Sequence, residues 1–154
     1  MHILLNPTIK LKAYKNQYRP SILSIWEQSV KHTHHFLNQK DFEFFKKQVD
    51  SINFGSLAVY CAFNEQSEMI GFLGVSFNRL EMMFLKPSYI GKGLGTQLLH
   101  FAKTSMYVDE LEVNEQNEQA LKFYRKNGFK LVERYPTDAY GKPYPILKLK
   151  LHRK

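Results

Sequence analysis

Residues 80–87, LEMMFLKP, form an apolar run that gives way to SYIGKGLGTQLL (88–99), with glycines alternating at positions 91, 93 and 95 before an amphipathic run resumes. This junction constrains the fold more than any other feature of the chain. The first run reads as a strand. In the second, Leu94, Leu98, Phe101, Ala102 and Ser105 fall along one helical stripe. A glycine loop that ends a strand and opens a helix presents free backbone N–H groups together with the positive end of the helix dipole. Glycine lets the backbone come close to a ligand and take positive φ, and a phosphate is the natural guest. A P-loop would need Ser or Thr directly after Gly91-Lys92, and Gly93 stands there instead. A dinucleotide fingerprint would need glycine at position 96, which is Thr96. An acidic residue about twenty positions on, Glu110 or Glu112, keeps that second reading open as the weaker one.

The surrounding pattern predicts an α/β chain, 1–154, as one domain. IKLKAY (9–14) alternates as a half-exposed strand. Residues 20–33 carry a helical face of Ile22, Ile25, Trp26, Ser29, Val30 and Thr33, with Pro20 in the first turn. Asn38 and Asp41 resemble a capping pair ahead of Phe42, Phe45 and Val49. SLAVYCAF (56–63) and MIGFLGVSF (69–77) read as a hairpin across NEQSE. ELEVN (110–114) is a short strand, and residues 117–127 form a helix stopped by Asn127 and Gly128. FKLVERY (129–135) and PILKLKL (145–151) alternate as a closing pair of strands. The predicted order is β-α-α-β-β-β-α-β-α-β-β, a largely antiparallel sheet with one crossover βαβ unit.

Lys and Arg number 22 against 14 acidic residues, a net charge of +8 spread along the chain. Such a balance favours anionic partners, but no helix-turn-helix, zinc-finger or RNA-sheet motif accompanies it, so a nucleic-acid partner is not expected. No apolar run approaches the roughly 18 residues of a membrane span, and no signal-peptide cleavage pattern follows MHILLNPTIKLK. The expected location is cytoplasmic. One cysteine, Cys61, excludes an internal disulfide. His32, His34 and His35 lack a second group of ligands, so no metal is expected. The closing strands could pair in a homodimer, although Lys148 and Lys150 discourage edge pairing; monomer and homodimer both stand.

PSYIGKGLGTQLL resembles motif A of the GCN5-related N-acetyltransferases, Gln/Arg-x-x-Gly-x-Gly/Ala. Gly93 and Gly95 match, and Ile90 replaces the Gln/Arg. NEQNEQALKFYRKNGF (114–129) is similar to the family's following strand-helix segment. SIWEQSVKHTHHFL, VNEQNEQA and GKPYPIL resemble a bacterial subgroup of that family, and the resemblance runs from about residue 9 to 151. It implies an acetyl-CoA-dependent N-acetyltransferase acting on a primary amine of a small molecule, peptide or protein, by direct attack. A non-catalytic acyl-CoA-binding or regulatory module is the alternative.

The chemistry is demanding. An amine of pKa about 10.4 is free base in only about one molecule in 2,500 at pH 7, a deficit of roughly 4–5 kcal/mol. The resemblance implies that the amides of Ile90, Gly91, Lys92, Gly93, Leu94, Gly95 and Thr96 hold the diphosphate. It also implies that pantetheine pairs with the backbone of Met83, Phe84 and Leu85, with the Leu85 N–H as oxyanion donor. Tyr124 would be the acid toward the thiolate. Seven residues from Asn117 on one helix, it shares that residue's face about 10 Å away, and Asn117 would meet a pantetheine amide. Read without the resemblance, Tyr124 is a core aromatic and Asn117 a helix cap on the Ala120 N–H. Glu81, placed by period two on the face of Met83 and Leu85, and His34 are rival candidates for the base. Trp26, Ser29, His34, Tyr140 and Tyr144 are candidate acceptor contacts from the first helix pair and the last hairpin loop.

Overall fold

The computed structural model describes residues 2–6 and 8–152. Eight strands form one sheet: β1 (His2–Asn6), β2 (Ile9–Ala13), β3 (Ala58–Phe63), β4 (Met69–Ser76), β5 (Arg79–Leu85), β6 (Glu110–Asn114), β7 (Phe129–Tyr135) and β8 (Ile146–Leu151). Four α-helices accompany it: α1 (Arg19–Thr33), α2 (Gln39–Asp50), α3 (Leu94–Ser105) and α4 (Glu118–Lys126). The strands lie in the order β1-β2-β3-β4-β5-β6-β8-β7. Every neighbouring pair is antiparallel except β5 and β6, which are joined by the α3 crossover.

The expected element order is present, with one strand added. The sequence reading begins its strands at residue 9, whereas His2–Asn6 pairs antiparallel with β2. Ile3-Leu4-Leu5 is a continuous apolar triplet, so the period-two signal is missing and only the partner strand defines it.

Helices on both faces divide the core in two. On one side α3 packs Leu94, Leu98, Leu99 and Ala102 against Ile70, Leu73, Leu80 and Leu111. On the other, Ile22, Ile25, Trp26 and Val30 of α1 meet Phe42, Cys61 and Phe72. β4 is buried almost end to end because both of its faces are covered, which is why its sequence is an apolar run without alternation. Burying one of these leucines contributes about 1.5–3 kcal/mol, so the two clusters hold the sheet from both sides.

Two irregularities position the site. At the first, Gly74 pairs with Met82 and Val75 with Leu80, so Glu81 is the extra residue of a β-bulge. The second lies on the other edge of β5. Its parallel ladder with β6 holds only Arg79 opposite Glu110 and Leu80 opposite Leu111, and then the strands part. Arg79 fastens the closed end of the gap. Its guanidinium donates to Glu110 at 3.0 and 3.2 Å and lies 3.5 Å from Glu112.

Candidate active site

The β5 backbone beyond the parting faces the gap. Lys86 N–H donates to Ile70 C=O at 2.8 Å. In an antiparallel ladder hydrogen-bonded pairs alternate with non-bonded ones. The pairings Phe84–Phe72 and Met82–Gly74 are therefore bonded, while Leu85–Gly71 and Met83–Leu73 are not. The N–H and C=O groups of Met83 and Leu85 consequently point away from β4, toward the space that β6 has left. An unpaired strand edge of this kind can accept an extended, amide-bearing ligand.

A cavity of about 410 Å³ opens along this edge. Its floor and walls include Met83, Phe84 and Leu85 from β5, Ile90, Gly91, Gly93, Gly95 and Thr96 from the loop, and Asn117 and Tyr124 from the α4 segment. Gly91 and Gly93 have φ of +79° and +89°, the left-handed region that side chains disfavour. A Cβ built on either would meet nothing within 4 Å, so the loop is bare toward open space as well as strained toward glycine. Gly93 is the N-cap of α3 and offers no side chain to the first N–H groups of that helix. A diphosphate fits this end of the cavity by charge and by donor chemistry. Lys92 and Leu94 do not line it. Lys92 lies over the Tyr89 ring at 6.0 Å, and the Leu94 side chain is buried in the core, so only its backbone is available to the loop.

Asn117 caps α4 by accepting from the Ala120 N–H at 3.3 Å, which leaves its amide nitrogen to donate. Tyr124, two turns further along the same helix face, packs edge-on against Phe123 and Phe129. Among the described residues nothing hydrogen-bonds its hydroxyl, and burial pushes its pKa well above the ordinary phenol value. It therefore stays a hydroxyl, able to donate into the cavity.

A second cavity, about 370 Å³, lies on the α1–α2 side of the gap, and the two share His34 and Phe84. Trp26, Tyr140 and Tyr144 line the second one, while Ser29 lines the first. Tyr144 is buried and donates its hydroxyl to Asp41, which also takes Lys142 Nζ at 3.0 Å. Burial and the Asp41 carboxylate push Tyr144 up to about 12. Asp41 thus fastens the loop after β7 onto α2. The capping pair expected at Asn38 and Asp41 is half present: Asn38 accepts from the Asp41 N–H, but the Asp41 side chain turns to the loop.

The two candidate bases fare differently. Leu80, Met83 and Leu85 belong to one core cluster and Met82 and Phe84 to the other, so the alternation resets at the bulge. Glu81 is the inserted residue, so period two does not place it on the face of Met83 and Leu85. It is exposed and lines neither cavity, a position the period-two reading missed because the bulge inserts one residue. Its pKa is raised by partial burial, with Glu112 and Glu110 adding to that and Arg79 opposing it. His34 ends α1 at the meeting point of the cavities. Thr33 Oγ1 donates to Ser29 C=O at 2.8 Å and lies 2.7 Å from His34 Nδ1. With the hydroxyl proton committed to Ser29, Nδ1 carries the ring proton and Nε2 holds the lone pair. Burial, with His35 adding to it, lowers His34 from 6.5 to about 4, so the ring is neutral near pH 7.

Sequence reasoning missed Phe45, Glu112 and Asp138 in the second cavity. Phe45 was legible as an apolar helix position, but nothing in the sequence separates a cavity wall from a core contact. Among the described residues no group of three or more His, Cys, Asp or Glu side chains is placed to hold a metal ion. Among the described residues no helix is long and apolar enough to cross a membrane.

A splayed parallel strand pair with a glycine loop at its mouth and two cavities meeting at the gap is an arrangement suited to an acyltransferase that uses a coenzyme A thioester. The family profile described as "Acetyltransferase (GNAT) domain" matches residues 55–131, and the chain belongs to that family. It is an acetyl-CoA-dependent N-acetyltransferase. Peptidyl-lysine N-acetyltransferase YjaB of Escherichia coli (strain K12) is 33% identical over 92% of this chain and 95% of its own. The solution structure of apo-form YjaB superposes with a TM-score of 0.85, covering 95% of this chain and 99% of that one. Peptidyl-lysine N-acetyltransferase YjaB of Salmonella typhimurium is 32% identical over 92% of this chain and 97% of its own. The PaiA N-acetyltransferase of Thermoplasma acidophilum, solved in complex with coenzyme A, is 25% identical with a TM-score of 0.72, covering 94% of this chain and 99% of that one.

Proposed function

We propose that the protein transfers the acetyl group of acetyl-CoA directly to the ε-amine of a lysine in a peptide or protein. The observation that carries this reading is the junction of the two cavities at His34 and Phe84, beside the unpaired N–H groups of β5. The acceptor class follows the peptidyl-lysine activity in the names of the YjaB relatives. Acetyl-CoA supplies the activated acetyl thioester.

This chain's residues then do the following work. The backbone amides from Ile90 to Thr96 hold the diphosphate, and the Met83 and Leu85 backbone aligns the pantetheine arm. The Leu85 N–H donates to the carbonyl oxygen as negative charge grows there. His34 Nε2 takes the proton that the nitrogen loses as the C–N bond forms. Because its ring is neutral near pH 7, the lone pair is present without prior deprotonation. Glu81, exposed at the bulge, is the less apt base. Tyr124 gives its hydroxyl proton to the sulfur as the C–S bond breaks and is reprotonated from solvent, to which His34 releases the proton it took, and Asn117 fixes an amide of the arm. Cys61 takes no part as a nucleophile: it is buried and its thiol is pushed up to about 12 by desolvation, which supports direct attack over an acyl-cysteine route.

The test is acetylation of a capped lysine peptide, read by mass spectrometry, with wild type, His34→Gln and Glu81→Gln. We expect His34→Gln to lower kcat about 100-fold and Glu81→Gln to change it less than about threefold. The reverse order would move the base to Glu81.

A further inference from the structure

The second cavity is lined by a carboxyl group one of whose oxygens has no partner among the described residues. Two carboxylates line it, Glu112 and Asp138. Glu112 has Arg79 at 3.5 Å. Asp138 is different. Its Oδ1 accepts from the backbone N–H groups of Tyr140 and Lys142, both at 2.9 Å, which shapes the loop. Its Oδ2 is buried and has no hydrogen-bond partner among the described residues. Among the described residues no ion pair involves Asp138, and the ammonium of Lys142 in the same loop is held by Asp41 on α2. A buried carboxylate oxygen left unpaired is costly, so such an atom in a cavity wall marks a place where a cation belongs. The walls around it are aromatic: Trp26, Phe45, Tyr140 and Tyr144. Ring faces of this kind add to the attraction for a desolvated cation.

The reacting nitrogen cannot be that cation. It must be neutral when it attacks, and it must sit where the cavities meet, at His34 and Phe84. Asp138 lines the second cavity alone. We infer that Asp138 is a specificity-determining residue that reads a second positive charge on the acceptor, separate from the amine being acetylated. Resting on the peptidyl-lysine reading above, this makes the preferred acceptor a lysine flanked by a basic residue. The same chemistry is offered by a small diamine. Asp138 lines the cavity while its Oδ2 is buried, so contact with a cation requires a rotation of the Asp138 side chain. The Asp41 tie to Lys142 and Tyr144 anchors the loop from Pro136 to Pro145 at its far end only.

The experiment compares two capped peptides that differ by one residue, lysine flanked by arginine or by its neutral isostere citrulline. The small-molecule arm compares 1,5-diaminopentane with pentylamine. For wild type, kcat/KM should favour the dicationic member at least about 10-fold, mostly through KM, as expected for a hydrogen bond to a charged group. Asp138→Asn keeps an oxygen for the Tyr140 and Lys142 N–H groups and removes only the charge, so the advantage should shrink to less than about twofold. Glu112→Gln should retain it. An advantage that is absent in wild type, survives Asp138→Asn, or disappears instead with Glu112→Gln overturns the inference. Trp26, the single tryptophan, lines the cavity and gives a readout without turnover. Fluorescence titration of wild type should give a Kd for 1,5-diaminopentane about 10-fold below that for pentylamine, and equal values overturn the inference even if the variant fails to fold. If neither peptide is acetylated while the diamine shows the Asp138-dependent preference, the peptidyl-lysine reading fails and the inference stands.

Discussion

Lowering the pH from 7 to 5 should weaken the folded state through His34. Burial, reinforced by His35, takes its pKa from 6.5 to about 4. A depressed imidazole stays neutral in the folded chain while the unfolded chain takes up a proton. Its contribution is therefore fully present above about pH 6.5 and is lost progressively as the pH falls toward 4. At pH 5 the unfolded imidazole lies about 1.5 pH units below its own pKa, which at 1.36 kcal/mol per unit amounts to about 2 kcal/mol. Part of the ring faces a water-accessible cavity, so the expected loss is about 1–2 kcal/mol. The depressed carboxylates Asp41, Glu27, Glu68, Glu110 and Glu115 lose their contributions as pH falls through folded values under the ordinary carboxylate range, below this window. Urea unfolding at pH 7, 6 and 5, followed by circular dichroism, isolates the histidine by subtracting His34→Gln, whose amide can still donate to Thr33. Wild type should lose about 1–2 kcal/mol more than the variant between pH 7 and 5. Equal slopes would refute a neutral, desolvated His34, and with it the claim that a lone pair waits at the cavity junction.

Tyr124→Phe should retain CoA binding by calorimetry while kcat falls about 10- to 100-fold, because only the hydroxyl is removed from a ring that packs on Phe123 and Phe129. Gly93→Ala should cost about 1 kcal/mol of stability from its φ of +89°, since its Cβ would meet nothing, and should raise the Kd for CoA about 10-fold or more. Asp41→Asn should lower the melting temperature and raise proteolytic nicking between residues 136 and 145, because the loop loses its ties to Lys142 and Tyr144. Acetyl-CoA at about 100 times its Kd should stabilise the protein by about 2.7 kcal/mol, seen as an upward thermal shift that Gly93→Ala diminishes.

The elements were legible where a local signal was strong. Pro20, Asn38, the three glycines and the Asn127-Gly128 pair each mark a helix end that the structure places within a residue or two of the expected position. Alternation delimited β7 and gave β8 to within a residue. β1 was not legible, because a five-residue strand without alternation is defined by its pairing with β2. The loop end of the site was legible for the same reason as the helices: glycine at positive φ ahead of a helix is a local requirement. The acceptor end was not, since Trp26, Tyr140 and Tyr144 are far apart in sequence and an aromatic residue reads the same whether it fills a core or lines a cavity.

Glu81 shows where local reasoning stops. Period two is a sound rule for a continuous strand, and one inserted residue reverses its conclusion for every residue on one side of the insertion. The bulge cannot be read from RLEMMFL, because it is set by the register with β4 across Gly74 and Val75. The parting of β5 from β6 has the same origin. β6 follows β8 for five paired positions but β5 for only two, so its direction is governed by the antiparallel partner. The gap between β5 and β6 thus follows from a competition between two ladders, won by the longer one. A residue's chemistry at the gap depends on that outcome: His34 becomes a half-buried neutral imidazole and Glu81 an exposed carboxyl, although by residue type alone both could accept a proton.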